Sequence, residues 1–123
     1  MSVGLLIVSH SRKIAEGICE LAAQMASDID LVPAGGTDDG GIGTSFEKIQ
    51  TGIESADTGD GLLILTDLGS AVMTAESVLE FLDGDQQRRI RLLPGVPLVE
   101  GAIAAAVSAQ TGAELASVAL AAE

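Results

Sequence analysis

The hydrophobic and polar positions along the chain divide it into short aliphatic runs and longer amphipathic segments. Two of the runs look almost like copies, because residues 4–10 read GLLIVSH and residues 61–67 read GLLILTD. Continuous aliphatic runs are typical of parallel strands that helices cover on both faces. Two further runs, at residues 29–32 and 90–93, complete a predicted set of four strands.

Segments with helical spacing separate these runs. Their apolar residues recur every three or four positions, as on the buried face of a helix. In the first segment these residues are Ile14, Ile18, Leu21, Ala22 and Met25. In the second they are Phe46, Ile49 and Ile53, and in the third, over residues 69–82, they are Val72, Ala75, Leu79 and Leu82. An alanine-rich helix is predicted around residues 98–108.

Two Thr-x-x-Glu sequences predict where helices begin. Thr44 with Glu47 forms a capping box before the second helix, and Thr111 with Glu114 forms one before a short last helix. Strands and helices therefore alternate along residues 1–123, which we expect to form a single domain. The predicted fold is α/β, an open and mostly parallel sheet of four or five strands with helices on both faces and a flavodoxin-like strand order.

This topology places two polar residues at the same edge of the sheet. Ligands of open α/β sheets bind beyond the carboxyl ends of the strands, where the strand order reverses, which in a flavodoxin-like order lies between the first and third strands. His10 and Asp67 follow those two strands. A neutral imidazole nitrogen is a nucleophile near neutral pH, and a carboxylate can fix its tautomer and stabilise positive charge on the ring. A structural alternative stays open, in which His10 is a hydrogen-bonded strand end and Asp67 caps the third helix.

A glycine-rich segment, GGTDDGGIGTS at residues 35–45, follows the second predicted strand. Glycine permits backbone conformations in which successive N–H groups converge on an anion, so Gly35, Gly36 and Thr37 are candidates for holding a phosphate. The alternative is a flexible connection, since neither the P-loop nor the dinucleotide motif is present. Asp38 and Asp39 are interpreted as solvated loop acids rather than metal ligands.

Two predicted helix starts complete the candidate site. The helices beginning near Ser11 and near Gly69 would direct their N-terminal amides into the same cleft, where they stabilise an anion. Arg12 and Lys13 oppose the helix dipole, which hints at a use in docking. With one histidine in the chain, no metal site and no cofactor are expected.

Composition and charge narrow the classes of function. The chain is 47% hydrophobic but contains two Phe and no Tyr or Trp, so its core must be aliphatic, and this excess predicts a homodimer. The net charge of −12 argues against nucleic acid as a partner. No secretory leader and no membrane-spanning run are recognised, so we expect a cytoplasmic protein without membrane insertion. Cys19 is predicted to fill the core, and Arg88, Arg89 and Arg91 to form a solvated approach to an edge strand.

Four segments together resemble the mannose-type EIIA family of the phosphotransferase system, and within it the phosphotransferase subunits of phosphoenolpyruvate-dependent dihydroxyacetone kinases. The segments read VGLLIVSHSRKIAEGI, IGTSFEKI, LTDLGSAVMTAE and PLVEGAIAAAV. The resemblance implies that His10 is the phosphorylated residue, that Asp67 orients its ring, and that Gly69 and Ser70 line the same site. It also implies the mannose-type EIIA fold and a homodimer.

The resemblance further implies the partners. Family members take the phosphoryl group from the phosphocarrier protein HPr. In the kinase branch the acceptor is ADP on a separate nucleotide-binding subunit, and the regenerated ATP phosphorylates dihydroxyacetone on a third subunit. Some relatives continue into HPr-like and enzyme I-like domains, whereas this chain ends at Glu123. Two other functions stay open: an EIIA component of a mannose-type sugar transporter, and a nonenzymatic anion-binding interaction module.

Overall fold

The computed structural model describes residues 2–123, which form a four-stranded parallel sheet with six α-helices. The strands are β1 (Gly4–Ser9), β2 (Leu31–Gly35), β3 (Leu62–Thr66) and β4 (Ile90–Leu93). The helices are α1 (Arg12–Ala23), α2 (Phe46–Ala56), α3 (Gly69–Glu80), α4 (Gly84–Arg88), α5 (Leu98–Gln110) and α6 (Leu115–Ala122).

The strand order is β2-β1-β3-β4, and every pairing is parallel. The predicted α/β class, parallel sheet and flavodoxin-like order are thereby confirmed. The two nearly identical runs of the sequence form the two central strands, in which every residue of β1 and β3 is buried. Central strands of such a sheet have helices on both faces, which explains why β1 and β3 are aliphatic throughout instead of alternating between apolar and polar residues.

Two apolar cores lie on opposite faces of the sheet. One is built from β1 and β3 with α1, α5 and α6, and the other from the same strands with α2 and α3. Cys19 belongs to the first core, as predicted, and burial together with the nearby charge of Glu16 raises the pKa of its thiol to about 11. This value leaves the thiol protonated and suited to packing.

The second strand begins later than predicted. It runs over Leu31–Gly35 instead of residues 29–32, and it contains Pro33, which lies opposite Ile7. Proline lacks an N–H group, yet it is tolerated on an edge strand, and β2 is such a strand. The shift brings Gly35 to the end of the strand, level with Ser9.

The buried faces of two helices also differ from the prediction. In α1, Ile18 and Ala22 are buried, but Ile14 and Leu21 are exposed by 51 and 45%, and Met25, just beyond the end of the helix, is exposed by 52%. The small residues Ala15, Cys19 and Ala22 face the sheet instead, together with Ile18. In α3 the buried residues are Ala71, Ala75 and Val78, while the predicted Val72, Leu79 and Leu82 are half-buried. Small side chains let a helix lie close to a sheet, and periodicity of large residues does not reveal this.

Neither of the two predicted capping boxes caps its helix as expected. Ser45, not Thr44, caps α2 by accepting a hydrogen bond from the Lys48 N–H at 3.1 Å. Thr111 lies at the end of α5, where its hydroxyl donates to the Ser108 carbonyl, and Glu114 precedes α6 without a side-chain cap.

Two of the three arginines near the last strand form ion pairs, which the sequence analysis did not predict. Asp83 caps the short helix α4, which the sequence analysis missed, and Arg88 at its end pairs with Asp85. Arg89 pairs with Asp57 at 2.9 Å, and the Asp57 side chain is only 7% exposed. The Arg89 guanidinium holds the pKa of Asp57 below its ordinary value of 3.8. Arg89 is therefore a structural ion-pair partner, whereas Arg91 is exposed on β4, as predicted.

Within residues 2–123, none of the helices combines the length and the apolar character needed to cross a lipid bilayer.

Candidate active site at the carboxyl edge of the sheet

His10 and Asp67 meet where the strand order reverses. His10 follows β1, Asp67 follows the neighbouring β3, and the Nδ1 atom of His10 lies 2.9 Å from Oδ1 of Asp67. Both side chains are largely buried, with 17 and 18% of their surface exposed. The parallel pairing of the two strands thus brings together residues that are 57 positions apart.

Asp67 is the centre of a hydrogen-bond network. Its Oδ2 atom accepts from the Ser9 hydroxyl at 2.8 Å and from the His10 backbone N–H at 2.9 Å, and its Oδ1 atom also accepts from the Leu68 N–H at 2.7 Å. Burial favours the neutral acid, but these hydrogen bonds and that of the His10 ring outweigh it and lower the pKa of Asp67 below its ordinary 3.8. Asp67 is therefore ionised at neutral pH.

The network defines the tautomer of the ring. An ionised carboxylate can only accept hydrogen bonds, so Nδ1 of His10 carries the proton that points to Asp67. Nε2 of the neutral ring then has its lone pair directed outward. The hydroxyl of Ser70 contacts Nε2 and, being a donor, is directed at that lone pair.

The start of α3 lies beside Nε2. Leu68 occupies the position before the helix, and no side chain caps this helix start. Asp67 is therefore not the cap that the structural alternative required. The first amides of the helix, those of Gly69 and Ser70, have no partner within the helix and carry part of its positive dipole. A methyl group added at Gly69 would find no atom within 4 Å, so the space beside the Cα of Gly69 is open.

Ser11 lies at the start of α1, but its polar groups are already in use. Its N–H donates to the Ser9 hydroxyl at 3.0 Å, and its hydroxyl caps the helix by accepting from the Ile14 N–H at 3.2 Å. Ser11 thus supports the site through Ser9, which in turn donates to Asp67. The α1 amides that remain without a helical partner belong to the exposed Arg12 and Lys13.

The glycine-rich loop closes against His10 in a way that the sequence analysis did not anticipate. The Gly43 N–H donates to the His10 carbonyl at 2.9 Å, the Gly36 N–H to the Ser9 carbonyl at 3.2 Å, and the Thr37 N–H to the Gly41 carbonyl at 3.0 Å. The amides of Gly36 and Thr37 are thus already satisfied by the loop and β1. They are not arranged as free donors for an anion.

Gly35 and Gly36 have packing and conformational roles instead. A Cβ at Gly35 would lie 2.5 Å from the Ser11 carbonyl oxygen, so only glycine lets the end of β2 approach the start of α1. Gly36 has a φ of +75°, which L side chains rarely adopt.

Two acidic residues of the glycine-rich loop accept hydrogen bonds from other residues of the same loop. Asp38 accepts from the Ser45 hydroxyl at 2.5 Å, and Asp39 accepts from the Thr37 hydroxyl at 2.5 Å. Hydrogen bonding by Thr37 and by the Gly41 N–H lowers the pKa of Asp39 below 3.8. Both residues are exposed, as predicted for solvated acids, but they also order the loop.

The reacting side of His10 lies beside exposed residues, since Leu68, Gly69 and Ser70 at the start of α3 are all exposed. Two concavities of about 430 and 520 Å³ adjoin the glycine-rich loop, one over β2 and one beside the start of α2, and neither is lined by His10 or Asp67. This geometry suits a histidine that reacts with a group on another macromolecule more than a pocket that encloses a small molecule.

Sequence reasoning missed the contributions of Ser9 and Gly43. Ser9 is 1% exposed, and its hydroxyl links Asp67 to the Ser11 amide. A polar residue that ends an otherwise aliphatic strand beside a candidate histidine was the available signal. Gly43 contacts His10 through backbone atoms alone, which no side-chain pattern reveals.

Several known proteins are similar to this chain. The phosphoryl donor subunit DhaM of the PEP-dependent dihydroxyacetone kinase of Escherichia coli is 43% identical over 117 residues, covering 92% of this chain and 25% of that protein. The phosphotransferase subunit DhaM of the PTS-dependent dihydroxyacetone kinase of Lactococcus lactis is 40% identical over 113 residues, covering 92% of this chain and 87% of that protein. A crystal structure of a protein of unknown function superposes with a TM-score of 0.86 at 40% identity, covering 99% of this chain and 93% of that one.

The chain thus spans about a quarter of the length of some of these relatives and most of the length of others. The family model described as "PTS system fructose IIA component" matches residues 4–119, a range that contains both central strands and the His10 and Asp67 pair. The chain belongs to this family, EIIA-man, of the phosphotransferase system.

Proposed function

We propose that the chain is a phosphoryl carrier of the phosphotransferase system in which Nε2 of His10 is the phosphorylated atom. One observation supports this most directly: the ionised Asp67 holds the Nδ1 side of the ring, which leaves the Nε2 lone pair directed at the open side beside the start of α3. A phosphoryl group on Nε2 would meet the free amides of Gly69 and Ser70 and the positive end of the helix dipole.

Phosphoryl transfer to Nε2 of His10 can proceed without a metal and without a separate base. The Nε2 lone pair forms a bond to phosphorus while the bond from phosphorus to the donor breaks, and the proton on Nδ1 stays in place. The ring becomes positively charged, and the adjacent Asp67 carboxylate stabilises this charge. In the onward step the Nε2 bond breaks in turn, and His10 returns to its neutral form. Phosphoryl transfer depends mainly on positioning and electrostatic stabilisation, which this arrangement supplies.

Ser70 has to change its contact during this cycle. Its hydroxyl occupies the line of the Nε2 lone pair, so it must rotate away when phosphorus approaches. After rotation it can donate to a phosphoryl oxygen. Ser70 would therefore shield the free ring and bind the phosphorylated one.

The partners in this proposal are HPr as donor and ADP, bound on a nucleotide-binding kinase subunit, as acceptor. The names of the relatives support the kinase branch, since the matched proteins are phosphoryl donor subunits of dihydroxyacetone kinases. The second candidate is an EIIA component of a sugar transporter, which the family description favours and which uses the same chemistry on another acceptor. Incubating the phosphorylated chain with each acceptor distinguishes the two. We expect these phosphoryl transfers to take place in the cytoplasm.

A homodimer is also part of the proposal. Ile14 and Leu21 are exposed on α1, and Met25 is exposed just beyond its end. Val99 and Val107 are exposed on α5, which packs beside α1 on the same face of the sheet. An apolar contact surface would limit the repulsion that a chain of net charge −12 meets when it approaches its own copy. Sedimentation at micromolar concentration tests this point, and a purely monomeric chain would contradict it.

The experiment that tests the function is transfer of labelled phosphate. Phosphoenolpyruvate, enzyme I and HPr together should label the chain with acid-labile phosphate, and His10→Gln should remain unlabelled while keeping the same circular dichroism spectrum. Equal labelling of the two proteins would refute the assignment of His10. The nonenzymatic alternative predicts no label on either protein.

A further inference from the structure

Ser9 is a buried hydroxyl at the end of an otherwise aliphatic strand, and it is 1% exposed. Leu5 and Ile7 of β1 belong to the first apolar core, and because the side chains of a strand alternate between its faces, Ser9 lies on the same face as these two residues. An apolar side chain would suit that face, since burying a hydroxyl costs free energy unless it is hydrogen-bonded. Packing therefore does not explain why a serine ends β1.

Both hydrogen bonds of the Ser9 hydroxyl involve the surroundings of His10. The oxygen accepts the Ser11 N–H at the start of α1, at 3.0 Å, and the hydroxyl donates to Oδ2 of Asp67 at 2.8 Å. An ionised carboxylate can only accept hydrogen bonds, so the direction of the bond from Ser9 to Asp67 is settled. Ser9 thus joins the start of α1 to the carboxylate that holds the ring.

With Ser9, Asp67 has one donor for each of its four lone-pair positions. Oδ2 accepts from Ser9 and from the His10 backbone N–H, and Oδ1 accepts from the His10 ring and from the Leu68 N–H. Three of these four donors are backbone groups or belong to His10 itself. The Ser9 hydroxyl is therefore the donor among them that a substitution can remove while the nucleophile and the backbone stay unchanged.

We propose that Ser9 is a positioning residue for the phosphorylation of His10 and that it acts through Asp67. The inference rests on the proposed function, because it assumes that His10 is the acceptor. Without Ser9, Oδ2 keeps a single hydrogen bond, and the carboxylate gains freedom to turn about its Cβ–Cγ bond. Oδ1 then spends less time on the Nδ1–H while Nε2 attacks, and small misplacements of a reacting group cost large factors in rate.

The bond from Ser9 also has an electrostatic effect. A hydrogen bond donated to a carboxylate favours its charged form, and burial of Asp67 opposes that form. The charged form is the one that stabilises the positive ring after Nε2 has bonded to phosphorus. Ser9 therefore supports both the orientation and the charge of Asp67.

A double-mutant cycle tests whether Ser9 acts through Asp67. Ser9→Ala is made in the wild type and in Asp67→Asn, and labelling by phosphorylated HPr is followed by rapid quench. Ser45→Ala in the same two backgrounds is the matched control. Ser45 is also a buried hydroxyl that accepts a backbone N–H, from Lys48, and donates to a carboxylate, but that carboxylate belongs to Asp38 in the glycine-rich loop.

We expect Ser9→Ala to lower kcat about tenfold in the wild-type background and to cause no further loss in the Asp67→Asn background. KM for HPr should stay unchanged, because Ser9 is buried and cannot touch the donor protein. Ser45→Ala should leave the rate unchanged in both backgrounds. An equal loss from Ser9→Ala in both backgrounds, or no loss in either, would overturn the role of Ser9 and leave His10 as the acceptor.

A second measurement does not depend on phosphoryl transfer. The bond from Ser9 lowers the pKa of Asp67, so titration of the Asp67 carboxyl carbon, followed by NMR, should move to higher pH in Ser9→Ala and stay in place in Ser45→Ala. A titration that Ser9→Ala leaves in place would contradict the proposed action of Ser9 on Asp67. A wild type that phosphorylated HPr does not label would refute the proposed function, and the role of Ser9 in phosphorylation with it, even if the titration moves.

Discussion

A single carboxylate holds His10 at two points: Asp67 accepts the ring Nδ1–H on Oδ1 at 2.9 Å and the backbone N–H of the same residue on Oδ2, also at 2.9 Å. The two bonds fix both the position of the residue and the rotation of its ring. The lone pair of Nε2 therefore has one direction, toward Ser70 and the start of α3.

Asp67→Asn should slow phosphorylation of His10 on the order of 100-fold. The amide is neutral, so it does not stabilise the positive ring, and its NH₂ group can turn toward Nδ1 and favour the wrong tautomer. Rapid-quench labelling by HPr measures the rate. Asp57→Asn is the control, because Asp57 is likewise an ion-paired carboxylate but its partner is Arg89. That variant should lose stability and keep its transfer rate; equal slowing of both variants would show a general folding effect.

Ser70→Ala should lower the transfer rate about tenfold, because the phosphorylated ring loses one hydrogen-bond donor. Ser70→Thr retains the hydroxyl and should restore most of the rate. Ser77→Ala on the same helix removes a hydroxyl that donates to the Met73 carbonyl, and it should have no effect on transfer. Failure of threonine to restore the rate would argue against a role for the hydroxyl.

The stability difference between the wild type and Asp67→Asn should depend on pH. The pKa of Asp67 is lower in the folded protein than its ordinary 3.8, so its ionised form stabilises the fold above that pH, and the contribution is lost as the pH falls through the folded-state value. Urea unfolding of both proteins at several pH values measures the difference, in which the similar effect of Asp57 cancels. We expect it to shrink as the pH falls into the acid range. A difference that stays constant down to strong acid would contradict the assigned pKa.

Gly35→Ala should reduce the free energy of unfolding by about 1 to 3 kcal/mol, because the new methyl group would lie 2.5 Å from the Ser11 carbonyl oxygen and 2.8 Å from the Arg12 Cα. Gly17→Ala is the matched control within α1, where the methyl group meets no atom within 4 Å. It should stabilise the chain by about 0.5 to 1 kcal/mol. Urea unfolding measures both, and equal effects would rule out the close approach at Gly35.

Thr66→Val should stabilise the chain by about 1 kcal/mol. The hydroxyl oxygen of Thr66 is buried and has no hydrogen-bond partner within the described part of the chain, and valine has nearly the same shape. Thr58→Val provides the contrast, because the Thr58 hydroxyl donates to the Ser2 carbonyl at 2.7 Å, and its removal should destabilise. Destabilisation by Thr66→Val would indicate that this hydroxyl has a partner after all.

Sequence pattern predicted the sheet more accurately than the helices. Continuous aliphatic runs located β1 and β3, because a strand covered on both faces has no polar positions. The burial of the helices was less predictable. Ile14 and Leu21 have the spacing of a buried face, yet Ile18 and three small residues contact the sheet. Helical period identifies a face but not how closely that face approaches its neighbour.

The aliphatic runs and the parallel crossovers were enough to predict that a histidine and an aspartate end two adjacent buried strands, since they leave few alternatives for where residues 10 and 67 can lie. The hydrogen bonds around these two residues could be read from the folded chain alone. The tertiary structure assigned the loop amides of Gly36 and Thr37 to backbone bonds, placed the Ser70 hydroxyl on Nε2, and left the start of α3 uncapped. These outcomes depend on distances between segments far apart in the chain, which no local pattern of residues records.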